Sequence, residues 1–294
     1  MANLARTGHP WGRRPLDAIL SAGSVQVGSE SIYYAASGIA ESGAAILFLH
    51  ESGGTGATWS GQLSGLAQQA RCLVPDLPGH GQSEGGGLQT IAEYRRAMLG
   101  FLDALAIRWP VLVAGVCLGA AIAVDLALHA PDRVAGLVLA GLHEGGRACA
   151  TIRHRTSLGE APAEFVERMF SGAASPRLKS EQAKRWRMAS PTVRHADLLA
   201  LAGYPLRDAL QGVRHRTMLV GGQHDAIASP EYTARLALEA PRGERVTIGE
   251  AGCLSMVERP DQFNRVVAAF LQEVQPGQLP TAAAVHRGGY RRYS

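Results

Sequence analysis

The residues most able to do chemistry sit in one short stretch, Gly115-Val116-Cys117-Leu118-Gly119, which follows the apolar run Val111–Ala114 and opens onto small residues. Gly-x-Cys-x-Gly at the end of a strand predicts a sharp strand–turn–helix elbow with a thiol at its apex. The spacing has a steric reason. The apex residue is forced into a positive-φ conformation, and a Cβ on either flanking glycine would clash. Such a turn pushes the side chain out at the C-terminal edge of a sheet and aims a helix N-terminus at it, which favours a thiolate. A thiolate there is suited to attack on an acyl carbon. The other reading is a small buried residue at a tight junction.

Composition sets the frame. At 294 residues the chain suits one large α/β domain with an insertion. Net charge is +4, and the cations are nearly all arginine, with Lys179 and Lys184 the only lysines. No basic run is interleaved with aromatics, so nucleic acid is not an expected partner. The pairs Arg13-Arg14 and Arg291-Arg292 read as solvated tails. Cys72, Cys117, Cys149 and Cys253 are scattered, without a C-x-x-C pair or disulfide framework. Met1–Gly23 lacks an apolar core of signal-peptide length, and no segment is long and apolar enough for a bilayer span. The expectation is a reducing, cytoplasmic setting with no membrane partner.

The elements that must position Cys117 alternate strand and helix. A hairpin pairs Val25–Val27 with Ile32–Ala35, and Ala44–His50 is a buried strand ending in Glu51-Ser52-Gly53-Gly54-Thr55-Gly56. Trp59–Gln69 reads as a helix, Cys72–Pro75 as a strand, and Asp76–Ser83 as a rigid Pro/Gly turn. Helix Ile91–Ile107, strand Val111–Val116, helix Ala120–His129 and strand Val134–Leu142 follow. Strand Thr217–Gly222, helix Pro230–Leu238, strand Arg245–Ile248 and helix Asp261–Val274 close the pattern. This alternation implies βαβ units and right-handed crossovers.

Between His143 and Gln211 the segment is polar and Arg-rich, with helical stretches at Ala163–Phe170, Ser180–Ala189 and His195–Leu201 and no strong strand. The expected organisation is therefore a core at 24–143 and 212–274, a helical cap at 144–211, and loose termini at 1–23 and 275–294. The cap's cations (Arg147, Arg153, His154, Arg155, Arg177, Lys179, Lys184, Arg185 and Arg187) read as a solvated face, with an anion-binding lid as the alternative. Trp186 and Met188 could line a pocket roof or pack in a core.

Several motifs occur in the order seen in the α/β-hydrolase family. These are Leu49-His50 with its Gly-rich loop, Asp76-Leu77-Pro78-Gly79-His80-Gly81-Gln82-Ser83, the elbow, Gly222-Gln223-His224-Asp225, and Ala251–Asn264. The chain resembles that family over 25–274, which implies a mostly parallel, doubly wound sheet of eight strands. The last motif looks like the segment that carries the catalytic His in lactonase- and esterase-like members.

The resemblance implies Asp225 as the acid and the backbone N–H groups of Ser52 and Leu118 as an oxyanion hole. Two positions depart from it. Cys117 stands at the nucleophile position, as in dienelactone-hydrolase-like members, and Cys253 stands where the family places its general base. Glu51 also replaces the usual glycine of the oxyanion loop. With no imidazole at 253, the substitute bases to consider are His143, His50 and His224.

The function this implies is hydrolysis or acyl transfer on a small-molecule ester, thioester or lactone through Cys117. A thioester is the easiest substrate, because its leaving group needs little protonation. The alternatives are a non-hydrolytic member that binds a small molecule, and a lyase or isomerase using Asp225, Cys117 or Glu51 as proton carriers. No cofactor is expected. A zinc site from Cys117, Cys253 and Asp225 lacks metal-ligand spacing in the chain. A Cys117–Cys253 disulfide is disfavoured, since the fold would separate those backbones by an imidazole and a hydrogen bond.

Overall fold

The computed structural model describes residues 20–38, 43–143, 154–155 and 163–275. Arg147, Cys149 and Arg153, with most of the two termini, lie outside the described residues.

Eight strands form one sheet: β1 (Ser21–Val27), β2 (Glu30–Ser37), β3 (Ala45–Leu49), β4 (Arg71–Pro75), β5 (Val111–Val116), β6 (Val134–Ala140), β7 (Thr217–Gly222) and β8 (Gly243–Ile248). Their order is β1-β2-β4-β3-β5-β6-β7-β8. The β1/β2 and β2/β4 pairs are antiparallel, and every other pair is parallel. The strands β3, β5 and β7 are buried along their whole length, as the unbroken apolar runs of doubly covered parallel strands require.

The helices among the described residues are α1 (Ser60–Gly65), α2 (Ile91–Ala104), α3 (Leu118–His129), α4 (Ala163–Arg168), α5 (Pro176–Met188), α6 (Pro191–Ala202), α7 (Leu206–Gly212), α8 (Pro230–Glu239), α9 (Ser255–Glu258) and α10 (Pro260–Val274). The last four-residue turn, α9, and the short α7 were not legible as periodic segments.

Several boundaries differ from the sequence reading. Strand β1 begins at Ser21, because Ser21–Gly23 pair with Tyr34–Ala36 through backbone alone. The helix expected over Trp59–Gln69 is a 3₁₀ turn at Gly56–Trp59 followed by the short α1, which ends at Gly65, where Asn264 packs against a bare backbone. Helix α2 stops at Ala104 because Ala106 turns left-handed, at φ 57°. Gln275 is not loose. It is buried, and its side-chain amide donates to the Pro110 carbonyl at 2.6 Å.

Helices α4–α7 lie in the connection from β6 to β7. That segment is pinned to the sheet by a buried ion pair. Asp197 on α6 accepts from His80 Nε2 at 3.0 Å and from the Gly53 N–H at 3.3 Å, and it also bonds the Tyr94 hydroxyl. Burial alone would lower the His80 pKa, but the Asp197 carboxylate outweighs it and the net direction is upward.

Candidate active site

The elbow forms as its spacing predicts. Cys117 sits at φ 51° and ψ −108°, between the end of β5 and the start of α3. A Cβ on Gly115 would meet the Gly119 carbonyl oxygen at 2.2 Å, and one on Gly119 would meet the Leu49 carbonyl oxygen at 2.1 Å. Both glycines are therefore steric requirements of the turn. The Cys117 N–H donates to the Ala140 carbonyl at 3.1 Å, tying the apex to the neighbouring strand β6.

That tie decides what faces the thiol. Gly141, at φ 53°, turns the chain sharply after β6 and delivers His143 to the site. The His143 imidazole stands close enough to the Cys117 sulfur to act on it by hydrogen bonding and charge. Cys253, on the loop after β8, brings its own sulfur to 3.7 Å from that of Cys117. The two thiols share a hydrogen bond in which either can donate, and this bond is the largest influence drawing the Cys117 pKa below its ordinary value. Burial opposes it, the His143 bond and charge add to it, and the Glu51 carboxylate works against it. The Cys253 pKa goes the other way, because its proton is held in the bond to Cys117. The pair therefore shares its charge unequally, with the thiolate at the helix N-terminus.

Asp225 follows β7. Its Oδ1 accepts the N–H groups of Ile227 at 2.7 Å and Ala228 at 2.8 Å. Its Oδ2 is buried with no hydrogen-bond partner among the described residues. Burial raises the Asp225 pKa, against the two N–H bonds and the charge of His143. Asp225 thus acts on the imidazole electrostatically.

Glu51, which stands in place of the expected oxyanion-loop glycine, is held by neighbouring side chains. Glu51 is fully buried, and its Oε1 accepts from Thr58 Oγ1 at 3.0 Å and Gln182 Nε2 at 2.6 Å. Burial pushes its pKa up, and the hydrogen bonds offset this only in part. The N–H groups of Ser52 and Leu118 are not taken by any acceptor among the described residues.

His50 and His224 are placed differently from His143. His50 is buried, with Nδ1 on its neighbour's carbonyl at 2.7 Å and Nε2 accepting the Leu77 N–H at 2.9 Å. Burial pushes its pKa down to about 3, with His80 adding to the effect. Both ring nitrogens brace loops. His224 is exposed, although its backbone N–H binds the Ala251 carbonyl at 2.8 Å. Of the three, His143 is the one that acts on the Cys117 sulfur.

Other expectations separate in the same way. Trp186 is buried against Gly53, where a Cβ would come within 2.5 Å of its ring, whereas Met188 is 75% exposed and lines nothing. Arg177, Lys184 and Arg187 face solvent, while Arg155 pairs with Glu164 and Lys179 with Glu167. Arg185 donates to Gln182 Oε1 at 3.2 Å. Among the described residues, no group of three or more His, Cys, Asp or Glu is placed to hold a metal ion.

One support went unread in the sequence. Glu258 accepts from the Gly252 N–H at 2.7 Å and from the Ser171 hydroxyl at 2.6 Å, and it also receives the Ser171 N–H. With the bond from the Leu254 N–H to the Met169 carbonyl at 3.0 Å, it fixes the Cys253 loop against the segment after α4. The invariable requirement is local. A Cβ on Gly252 would press on the Phe170–Ser171 backbone at 2.6 Å.

A strand–helix elbow after β5 and a mostly parallel eight-stranded sheet of this order define the α/β-hydrolase architecture. The profile of the Alpha/beta hydrolase family matches residues 46–266, and the chain belongs to that family. It is 28% identical over 247 residues to a dihydrolipoyllysine-residue acetyltransferase component of the acetoin cleaving system of Pseudomonas putida, covering 79% of this chain but only 65% of that relative. It is also 28% identical over 265 residues to a putative carbamate hydrolase, RutD, of Azorhizobium caulinodans, covering 84% of this chain and 97% of the relative. Among solved structures, the enol-lactonase of Burkholderia xenovorans LB400 superposes with a TM-score of 0.78 at 22% identity, over 85% of this chain and all of that one. That likeness concerns the fold. No helix of the described residues is long and apolar enough to cross a membrane.

Proposed function

We propose that the chain is a thiol hydrolase or acyl-transfer enzyme acting on a small-molecule ester, thioester or lactone, with Cys117 as nucleophile and His143 as the proton carrier. The observation that carries this reading is the grouping at the elbow, where the Cys253 sulfur lies 3.7 Å from that of Cys117 and the His143 imidazole acts on the same sulfur. Carbamate and enol-lactone chemistry in the names of relatives supports a small acyl substrate.

In this mechanism His143 and Cys253 keep Cys117 as a thiolate. The sulfur attacks the carbonyl carbon, and the Ser52 and Leu118 N–H groups receive the oxyanion. As the tetrahedral intermediate collapses, His143 gives its proton to the leaving group, and Asp225 holds the imidazolium by charge alone. Water, deprotonated by the same imidazole, then releases the acid from the acyl-thioester. A thiolate leaving group demands the least of this arrangement, because it departs without full protonation. Helices α4–α6 serve as the cap, and Cys117, 6% exposed beneath it, is reached by substrate when that segment shifts.

A binding protein with a redirected pocket is the second reading. The partnerless Asp225 Oδ2 favours it, since an acid retained for a conventional triad would bond an imidazole.

The test is a panel of nitrophenyl esters, lactones and acyl-CoA thioesters, assayed with and without a thiol-blocking reagent and with Cys117→Ala. Turnover that both treatments abolish supports the proposal. Turnover indifferent to them, or none on any substrate, overturns it.

A further inference from the structure

Acyl transfer from an elbow needs one sulfur, and this site holds two. Both are free, 3.7 Å apart, and almost sealed from bulk solvent, with Cys253 only 1% exposed. No side chain separates them. They share the space above Gly141, where a Cβ would stand 2.4 Å from Cys253 Sγ and 3.3 Å from Cys117 Sγ. A disulfide is about 2.05 Å long. Closing the gap of 3.7 Å therefore asks roughly 0.8 Å of each sulfur, within the reach of small side-chain rotations. The backbone spacing expected from a missing imidazole does not keep these sulfurs apart, because Gly141 lets both lean inward.

We infer that Cys117 and Cys253 form a dithiol modification site that a small hydroperoxide converts into a reversible disulfide. In the first step the Cys117 thiolate attacks the terminal peroxide oxygen. An S–O bond forms, the O–O bond breaks, and the departing alkoxide or hydroxide takes a proton from His143. The product is a sulfenic acid on Cys117 and an alcohol or water. In the second step the Cys253 sulfur attacks that of Cys117. The S–S bond forms, the S–O bond breaks, and the hydroxide leaves as water with the Cys253 proton. The two sulfurs together lose two electrons and the peroxide gains them. A dithiol reductant reverses the modification by exchange.

The chemistry is selective among the cysteines of the described residues. Cys72 is buried in β4, where burial pushes its thiol up to about 12, and its sulfur faces the Ala70 carbonyl oxygen. Cys117 instead has the thiolate character and the adjacent partner that sulfenic acid condensation requires. While oxidised, Cys117 is unavailable to any substrate. The inference does not depend on the acyl chemistry, since it is read on the thiols themselves.

The experiment treats the full chain with hydrogen peroxide, denatures it, labels free thiols with N-ethylmaleimide and maps the peptides by mass. The reduced chain takes four labels, one per cysteine. The expected oxidised chain takes two, carries a Cys117–Cys253 linked peptide, and returns to four after dithiothreitol. In Cys253→Ser the link is absent, and a dimedone adduct on Cys117 replaces it. Four labels surviving peroxide, a link through Cys72 or Cys149, or sulfinic acid on Cys117 as the main wild-type product would each overturn the inference. Should Cys253→Ser fail to fold, the wild-type peptide map decides alone.

Discussion

Replacing His143 with glutamine removes the imidazole that acts on the Cys117 sulfur. In the native site the Cys117 thiolate is favoured by the Cys253 thiol first and by the His143 bond and charge next, and is opposed by burial and Glu51. Without His143, Cys253 alone opposes burial. A hydrogen bond to a charged group contributes about 1.5–3 kcal/mol, and His143 is only half-buried, so the low end applies. At 1.36 kcal/mol per pKa unit that is a rise of about one unit in the Cys117 midpoint. Because the native pKa is lowered, thiolate accumulates as pH rises through it, and the variant's limb moves to higher pH. At neutral pH, close to the native midpoint of about 7, alkylation of Cys117 by iodoacetamide should slow by about fivefold, read from the Cys117 peptide across a pH series. Hydrolysis should fall further, by about 10²–10⁴ in kcat/KM, because the proton carrier is lost as well. An unchanged alkylation midpoint in His143→Gln would falsify the assignment of His143 to the thiolate.

Three other outcomes follow from the geometry. Asp197→Ala leaves His80, Tyr94 and the Gly53 N–H without their shared acceptor and should cost about 3–5 kcal/mol in urea unfolding. His80 has a raised folded pKa, so its contribution is full below 6.5 and lost as pH rises through the raised value. In Asp197 burial is outweighed by His80 and the pKa is lowered, so its contribution is full above 3.8 and lost as pH falls through the lowered value. The gap between wild type and variant should therefore be widest between those two pH values. Glu258→Ala orphans the Gly252 and Ser171 donors, and should cost about 2–3 kcal/mol and speed hydrogen exchange at 252–254. Gly141→Ala, at φ 53° and against Cys253 Sγ, should lose about 1–2 kcal/mol in thermal unfolding and raise the Cys117 alkylation midpoint.

Much of the fold was readable because its signals are local. The apolar runs of β3, β5 and β7 exceed what a half-exposed strand would carry, and Gly115 and Gly119 mark the only spacing the elbow tolerates. Helix starts were readable too, but two were placed late. Ser175-Pro176 and Ser190-Pro191 are N-caps followed by Pro, and each serine accepts an N–H of the first turn. Helix α9 was beyond reach, since four residues show no period. Glu258 gave no signal either. Its partner Ser171 is remote in the chain, and a lone Glu in an amphipathic region reads as surface.

The amino-acid order by itself determined the α/β alternation and the cysteine at the elbow. It left His50, His143 and His224 equivalent, because distance along the chain carries no information about which strand ends are neighbours. Only the folded sheet, with β3, β5 and β6 side by side and a left-handed turn at Gly141, brings residue 143 to residue 117. The same packing spends His50 on two loops and turns His224 outward. Charge, proton and sulfur act over a few ångströms, and that proximity is a property of the tertiary structure.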